Sequence, residues 1–208
     1  MNLQENILII DFGSQYTQLI ARRIRENKVY SEIFAHTIDI DKIKSINPSG
    51  IILSGGPLSV YDEDSPQVNP DIFKLGIPIL GICYGLQLTA KYLNGNVSQA
   101  QDREYGRAIL QIEKESSLLK GIKNESYVWM SHGDFVNKAP EGFEITAVSD
   151  HSPICAISNE KDKIFGVQFH PEVNHTEQGN EIIKNFLFNI CNCKGNWTPE
   201  SFIITYIK

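Results

Sequence analysis

Residues 77–96, IPILGICYGLQLTAKYLNGN, contain a strand, a sharp turn and a helix in immediate succession, and this succession decides the fold. The apolar run at the start is short and bounded by glycine and proline, which is typical of a buried strand. The residues after Cys83 have helical spacing and stop at Gly95. Cys83 is therefore predicted to lie where a buried strand turns directly into a helix.

The first half of the chain repeats this alternation of apolar strands and helices. Strands are predicted at residues 6–11, 29–35, 49–56 and 77–83, and helices at residues 16–27 and 39–47. Short apolar strands that alternate with helices predict a parallel sheet with helices on both faces and right-handed crossovers.

The second half is predicted to be mainly antiparallel. Turn residues separate strand candidates at residues 103–113, 126–132, 143–149, 152–159 and 163–170, and a last helix follows at residues 176–191. These strands are expected to extend or flank the parallel sheet. The fold class is thus α/β, with a mostly parallel open sheet, helices on both faces and an added antiparallel portion. Residues 1–193 are predicted to form one domain.

The composition of the 208-residue chain excludes several classes of function. The net charge is -6, so no excess of Lys and Arg is available to neutralise the phosphates of a nucleic acid. The start, MNLQENILIIDFG, lacks the features of a signal peptide, and no apolar stretch is long enough to cross a membrane. The four cysteines show no disulfide spacing. These features favour the reducing cytoplasm.

Cys83 is a candidate nucleophile. Ligands of an open parallel sheet bind at the carboxyl ends of its strands, and Cys83 is predicted to lie at such an end, directly before a helix N-terminus. The N–H groups and the dipole of that helix end favour a thiolate. Gly81 and Gly85 permit a sharp strand–turn–helix elbow that exposes a nucleophile. An ordinary buried structural cysteine fits the same pattern, because free cysteine is among the most buried residue types.

A thiol nucleophile needs a base and an orienting partner, and the stretch FGVQFHPEV offers both. His170 ends an apolar strand and Glu172 follows two residues later. An extended backbone would project both side chains to the same side, where Glu172 orients His170. A plain surface turn is the alternative. Zinc binding is disfavoured because Cys83 and His170 lack a third and fourth ligand at zinc spacing.

The stretch Ser54-Gly55-Gly56-Pro57 follows the third strand at the same edge of the sheet as Cys83. Its two glycines let backbone N–H groups approach a substrate and an oxyanion closely. A tight loop with positive φ is the alternative interpretation.

The three stretches GGP, GICYGLQ and VQFHPE occur in one order, and together they resemble the class I (triad) glutamine amidotransferases. The resemblance spans nearly the whole chain and implies a flavodoxin-like three-layer fold. It implies that Cys83 attacks the carboxamide of glutamine, that His170 transfers the proton and that Glu172 orients His170. It further implies an oxyanion site at the N–H groups of Gly56 and Tyr84.

The remaining implied contacts concern the substrate. By resemblance, glutamine is held beside Gly55, by Gln87 and by the loop Ser131, His132, Gly133 and Asp134. The γ-glutamyl thioester would then be hydrolysed to glutamate.

The stretches ILIIDFGSQYTQLIARRIRE, VWMSHGD and GVQFHPEVNHTEQG resemble, within this family, the amidotransferase domain of GMP synthetases. This resemblance implies that the ammonia is used to aminate XMP on an ATP-pyrophosphatase domain, to which ATP and magnesium would belong. No cofactor or metal is expected in this domain. Residues 194–208, with the apolar Trp197, Phe202, Ile203 and Ile204, would lead toward that synthetase. Ser14, Gln15, His132 and His175 are expected to face it, although Ser14 is equally suited to capping its helix.

Three alternatives remain. The same half-reaction can serve anthranilate or aminodeoxychorismate synthesis. A γ-glutamyl hydrolase would use the fold without ammonia transfer. A catalytically silent regulatory domain is disfavoured because Cys83, His170 and Glu172 are all present. Cys155, Cys191 and Cys193 are expected to be structural.

Overall fold

The computed structural model describes residues 5–198 and, within that range, the side chains of all residues except 100–103. Nine strands form one sheet: β1 (Asn6–Asp11), β2 (Tyr30–Ala35), β3 (Gly50–Leu53), β4 (Ile79–Ile82), β5 (Asn96–Ile112), β6 (Ser126–Lys138), β7 (Glu144–Val148), β8 (Ala156–Asn159) and β9 (Ile164–Val167). Their order across the sheet is β2-β1-β3-β4-β9-β8-β7-β5-β6. The mixed sheet confirms the predicted α/β class, and all nine predicted strands are present.

Helices cover both faces of this sheet, as predicted. The α-helices are α1 (Thr17–Glu26), α2 (Ile40–Ile46), α3 (Tyr84–Tyr92) and α4 (Gly179–Lys184), and α4 continues as π-helical turns over Asn185–Ile190. A short 3-10 helix, Pro70–Lys74, lies between β3 and β4. Helix α2 begins at the N-cap Asp39, whose side chain accepts the Asp41 N–H, and it ends at Asn47 in the left-handed conformation.

Two apolar cores lie on the two faces of the parallel half. Alternate residues of β1 point to opposite faces: Ile7 and Ile9 belong to the core beneath α1 and α4, and Leu8 and Ile10 to the core beneath α2 and α3. A strand that is buried on both faces needs a continuous apolar run, and NILIID has one. The parallel pairing of β1, β3 and β4 brings their carboxyl ends to one edge.

The last strand differs from the prediction. It was expected among the antiparallel strands, yet β9 pairs parallel with β4 and antiparallel only with β8. The tight turn at residues 160–163 reverses the chain between β8 and β9, so β9 runs in the same direction as β4. This pairing places the end of β9 beside the end of β4, and therefore beside Cys83.

The glycines of the elbow act through close packing rather than through backbone conformation. A Cβ on Gly85 would lie 2.3 Å from the carbonyl oxygen of Leu53, and one on Gly81 would lie 2.6 Å from the backbone of Gly85. The positive φ of the turn falls instead on Cys83, with φ 52° and ψ -104°. The absence of side chains at the two glycines lets α3 approach β3 and β4.

We expect Gly85→Ala to lower the free energy of unfolding by about 3 kcal/mol, because the added methyl group must displace the backbone of β3. Urea unfolding measures the change. The matched control is Gly76→Ala, since a Cβ there meets no atom within 4 Å and only its φ of 70° opposes alanine. That control should cost about 1 kcal/mol. Equal losses for the two variants would contradict the packing argument.

The end of the described chain packs on the domain. The backbone N–H of Trp197 donates to the Lys28 carbonyl oxygen at 2.8 Å. The centroids of the Trp197 and Tyr30 rings lie 5.8 Å apart. Phe202, Ile203 and Ile204 lie outside the described residues. Among residues 5–198, no helix combines the length and the hydropathy that a bilayer span requires.

Candidate active site

Cys83 lies at the carboxyl end of β4 and immediately precedes α3. Its N–H donates to the carbonyl oxygen of Val167 at 2.8 Å, which ties the elbow to β9, and its carbonyl oxygen accepts the Gln87 N–H at 3.1 Å. A positive φ at a residue other than glycine stores about 1–2 kcal/mol of strain. In this conformation the side chain of Cys83 lines a cavity in front of the elbow.

The Gly55-Gly56 loop borders the elbow, as the sequence predicted. Ser54 anchors the loop, because its hydroxyl accepts the Phe12 N–H at 3.1 Å and its carbonyl oxygen accepts the Gly85 N–H at 3.0 Å. A Cβ on Gly55 would lie 3.1 Å from the His170 ring, and one on Gly56 would lie 3.1 Å from the Tyr84 ring. A side chain at either position would therefore need a neighbouring atom to move by a few tenths of an ångström, and neither glycine has a positive φ.

The backbone N–H groups of the two predicted oxyanion residues differ in their surroundings, because Gly56 lines the cavity whereas Tyr84 is buried and does not. Within the described part of the chain, neither the Gly56 N–H nor the Tyr84 N–H donates a hydrogen bond to another group. Both belong to segments that flank Cys83. Backbone donors without internal partners beside a nucleophile are the arrangement that stabilises an oxyanion.

His170 and Glu172 form a buried pair. His170 Nδ1 lies 2.8 Å from Glu172 Oε1, and both side chains are almost fully buried. Their proximity was predicted on the assumption of an extended backbone, and that assumption is wrong. β9 ends at Val167, and residues 171 and 172 form a turn. The turn, rather than strand alternation, folds the carboxylate back onto the imidazole.

The protonation of His170 reflects this environment. Burial alone would lower the pKa of His170, but the Glu172 carboxylate, together with a hydrogen bond to Cys83, raises that pKa well above its ordinary value. The protonated imidazole is therefore favoured beside the sulfur.

The surrounding structure fixes the position of His170. Its backbone N–H donates to the Trp129 carbonyl oxygen at 3.0 Å, and its backbone carbonyl oxygen accepts the Thr176 hydroxyl at 2.7 Å. The ring of Tyr16 meets the imidazole edge-on, with ring centroids 5.0 Å apart. Strand β6 thus holds the backbone of His170, and Tyr16, the residue before α1, contacts its ring.

A cavity of about 440 Å³ opens in front of Cys83. It is lined by six residues that the sequence had assigned to the site (Gly56, Cys83, Gln87, His132, Gly133 and Asp134) and by Pro57, Leu58, Ser59, Asp62, Gln99 and Tyr105. Gln87 is buried, and its side-chain N–H donates to the Asp134 carbonyl oxygen at 2.7 Å. Asp134 Oδ2 is buried without a partner in the described residues. Of the predicted substrate residues, Gln87, His132, Gly133 and Asp134 line this cavity, whereas Gly55 and Ser131 are not among its lining residues.

The residues expected to face a partner are placed differently from one another. His132 is only 5% exposed and lines the cavity, so it does not belong to an outer face. His175 is exposed and packs against Trp129, with ring centroids 4.5 Å apart. Gln15 is exposed, and the Ser14 hydroxyl accepts the Tyr16 N–H at 3.1 Å at the start of α1. Ser14 thus stabilises a local turn, but it does not cap α1, whose N-cap residue is Tyr16.

The sequence analysis missed several polar residues of the site. Gln168 points its side-chain nitrogen at Cys83 Sγ, and Glu104 lies 3.0 Å from His132 Nε2. The sequence did contain a signal for Gln168, because a glutamine inside the apolar run IFGVQF is unusual. No sequence signal marks Glu104, because its position opposite His132 follows from the register of β5 and β6.

Glu104 and His132 form a second carboxylate–imidazole pair, in which His132 is buried and Glu104 is partly buried. Ser152 donates to the same Glu104 oxygen at 2.9 Å. Burial alone would raise the pKa of Glu104, but the hydrogen bonds from His132 and Ser152 outweigh it and hold that pKa below its ordinary value. A carboxyl group with a lowered pKa stabilises the fold above its unfolded-state pKa and loses that contribution as the pH falls through the folded-state value.

We therefore expect Glu104→Gln to lower the free energy of unfolding at pH 7 by about 1–2 kcal/mol, and by less as the pH falls below 4.5. Urea titrations at pH 7 and pH 4 measure the difference. Glu144→Gln is the matched control, because Glu144 makes an exposed ion pair with Lys114 and should change little at either pH. A Glu104→Gln deficit of the same size at both pH values would contradict the linkage argument.

The remaining cysteines have no contact with this cavity. Cys155 and Cys193 are buried, and burial raises the pKa of Cys155 to about 12 and that of Cys193 to about 11. All four cysteines are free thiols. Among residues 5–198, no group of three or more His, Cys, Asp or Glu side chains is arranged to hold a metal ion.

Comparison with known proteins agrees with the fold and the cavity. The family model described as "Glutamine amidotransferase class-I" matches residues 8–190. This chain therefore belongs to the class I glutamine amidotransferases. A crystal structure of a protein from Thermoplasma acidophilum is 27% identical, with a TM-score of 0.79 and 99% of this chain and 98% of that chain covered. A glutamine amidotransferase from Thermotoga maritima, 18% identical, shares the fold with a TM-score of 0.71 over 90% of this chain and 98% of its own.

Two relatives named "GMP synthase [glutamine-hydrolyzing]" are more similar in sequence. The protein of Listeria monocytogenes is 55% identical over 96% of this chain, and that of Bacillus licheniformis is 56% identical over 97%. The alignments cover 38% and 39% of those proteins. The chain thus spans about two fifths of the length of the curated relatives that it matches.

Proposed function

We propose that this chain is the glutaminase portion of a GMP synthase, which hydrolyses glutamine and supplies ammonia for the amination of XMP. The observation that carries the glutaminase assignment is the position of the His170–Glu172 pair beside Cys83 at a strained elbow. The relatives' names and the 55–56% identity to them support XMP as the acceptor.

Cys83 is the nucleophile of the proposed reaction. Its thiolate attacks the side-chain carboxamide carbon of glutamine, and the N–H groups of Gly56 and Tyr84 receive the developing oxyanion. The His170 imidazolium gives its proton to the departing ammonia while Glu172 holds the ring in position. A water molecule, deprotonated by His170, then hydrolyses the thioester to glutamate.

The cavity supplies groups suited to the amino-acid end of glutamine. Asp134 Oδ2 is buried and unpartnered, so it is available to accept the α-ammonium group of the substrate. Gln87 supports this segment through its bond to the Asp134 carbonyl oxygen, and Gly55, Ser131, His132 and Gly133 complete the proposed binding wall.

The rest of the reaction is assigned to a partner. Residues 1–193 form the proposed amidotransferase domain, and residues 194–208 lead toward a synthetase domain. ATP and magnesium belong to that synthetase, and no cofactor or metal is assigned to this chain. The four free thiols favour a cytoplasmic enzyme.

The proposal is tested with glutamine labelled by 15N in its side-chain amide. The chain should release glutamate and labelled ammonia, and with a GMP synthase synthetase domain, ATP, magnesium and XMP it should transfer the label to GMP. Incorporation should exceed that obtained from an equal concentration of free ammonia. Ammonia release without transfer would favour a γ-glutamyl hydrolase, and transfer only with a chorismate-using synthase would favour the anthranilate or aminodeoxychorismate alternative.

A further inference from the structure

Two polar groups besides His170 contact the sulfur of Cys83. The Ser131 carbonyl oxygen lies 3.6 Å from Sγ, and the side-chain nitrogen of Gln168 lies 3.6 Å from the same atom. We infer that Gln168 is a further catalytic residue, whose amide N–H stabilises the thiolate form of Cys83. The inference rests on the proposed role of Cys83 as nucleophile.

The two groups favour opposite protonation states of the sulfur. A carbonyl oxygen only accepts hydrogen bonds, so Ser131 interacts favourably with a neutral S–H and repels a thiolate. An amide N–H donates, so Gln168 interacts most strongly with the anion, as a charge-assisted hydrogen bond. Without Gln168, the carbonyl oxygen of Ser131 would act against the activation that His170 provides.

The burial of Gln168 supports a chemical rather than a packing role. Its side chain is fully buried, and its Oε1 has no partner in the described residues. An unpartnered buried oxygen costs free energy that an apolar side chain of similar shape would avoid. The reverse amide orientation would direct an oxygen at the thiolate, so only the donor orientation is compatible with an ionised sulfur.

The pairing of β9 explains why this side chain reaches the sulfur. The Cys83 N–H bonds to the carbonyl oxygen of Val167, the residue directly before Gln168. The backbone N–H of Gln168 in turn donates to the Cys155 carbonyl oxygen at 2.8 Å. Gln168 is therefore fixed on the backbone beside the elbow, and its amide needs no movement to contact Sγ.

Other titratable groups contact the sulfur, line the same cavity or pair with a group that does. His170 and Glu172 lie after β9, His132 and Asp134 come from β6, Tyr105 from β5 and Asp62 from the loop after β3. A substitution at Gln168 leaves all of them in place. A change in the pH dependence of Cys83 reactivity therefore isolates the contribution of the amide.

The test is the rate of Cys83 alkylation by iodoacetamide as a function of pH, followed by peptide mass spectrometry. For Gln168→Met, which keeps the shape and removes the donor, the midpoint of the rate curve should rise by about one pH unit. At pH values well below the wild-type midpoint, alkylation of Cys83 in Gln168→Met should be about tenfold slower than in the wild type. Gln168→Glu, which places a carboxylate at the sulfur, should slow it further.

The matched control is Asn6→Leu, because Asn6 is also a buried amide with an unpartnered oxygen but lies at the opposite end of β1 from the site. In Asn6→Leu, the alkylation rate of Cys83 should depend on pH as it does in the wild type. The alkylation rate of the fully buried Cys155 should also equal that of the wild type. An unchanged midpoint in Gln168→Met would overturn the inference, even where Cys83 still reacts with a glutamine analogue.

A second measurement needs no substitution at Gln168. In wild-type chain with 15N-labelled glutamine side chains, the Gln168 amide resonance should shift with the same midpoint as the alkylation curve, and Cys83→Ala should abolish that shift. A Gln168 resonance that does not follow the ionisation of Cys83 would also overturn the inference.

Discussion

Cys83→Ala is expected to abolish measurable glutamine hydrolysis, because the variant lacks the thiol that is hydrogen-bonded to His170 and that attacks the substrate in the proposed reaction. The same variant should not acquire mass on incubation with a diazo-ketone analogue of glutamine, whereas the wild type should gain one adduct. Intact-mass spectrometry and an ammonia assay measure these two results. Hydrolysis retained by Cys83→Ala would disprove the proposed mechanism.

The stability of this variant separates chemistry from folding. Alanine keeps the strained φ of 52°, so the fold should lose only the packing of one sulfur atom. Cys83→Gly should be more stable than Cys83→Ala by about 1 kcal/mol, because glycine adopts this conformation without strain. Cys193→Ala is the matched control, since Cys193 is a buried thiol without contact to the cavity and its loss should leave hydrolysis intact.

Glu172→Gln should lower kcat/KM for glutamine by about 10²–10⁴-fold while the chain remains folded. The amide is nearly isosteric with the carboxylate, but it no longer stabilises the imidazolium and it permits the wrong tautomer of His170. Steady-state kinetics with ammonia detection measure the loss. Glu181→Gln, at an exposed ion pair with Lys184, is the matched control and should change little.

The pH dependence of the free energy of unfolding of Glu172→Gln provides a second test. The pKa of His170 is raised in the folded wild type, so protonated His170 stabilises the fold fully below its unfolded value of about 6.5. That contribution is lost as the pH rises through the folded-state pKa. The stability difference between wild type and Glu172→Gln should therefore be largest below pH 6.5 and narrow in alkaline solution. A difference that grows with pH would contradict the assigned role of Glu172.

The class of the fold was visible in the linear sequence, and Cys83, His170 and Glu172 were already candidate site residues there. Apolar runs such as NILIID, alternating with amphipathic helices, predict a parallel sheet because only a strand buried on both faces needs an uninterrupted apolar run. A cysteine between two glycines at a strand end predicts an elbow for steric reasons. The pairing of His170 with Glu172 was found for the wrong geometric reason, because a turn rather than an extended strand joins them.

Tertiary structure decided which distant segments meet. The parallel pairing of β9 with β4 brings Gln168 and His170 to Cys83, and the register of β5 against β6 sets Glu104 opposite His132. The same register places the His132 side chain at the cavity. The local sequence determines strands, helices and turns because their periodicity and capping act over a few residues. Strand order and register depend on how all the apolar faces are buried at once, so the contacts around the sulfur are a property of the folded chain alone.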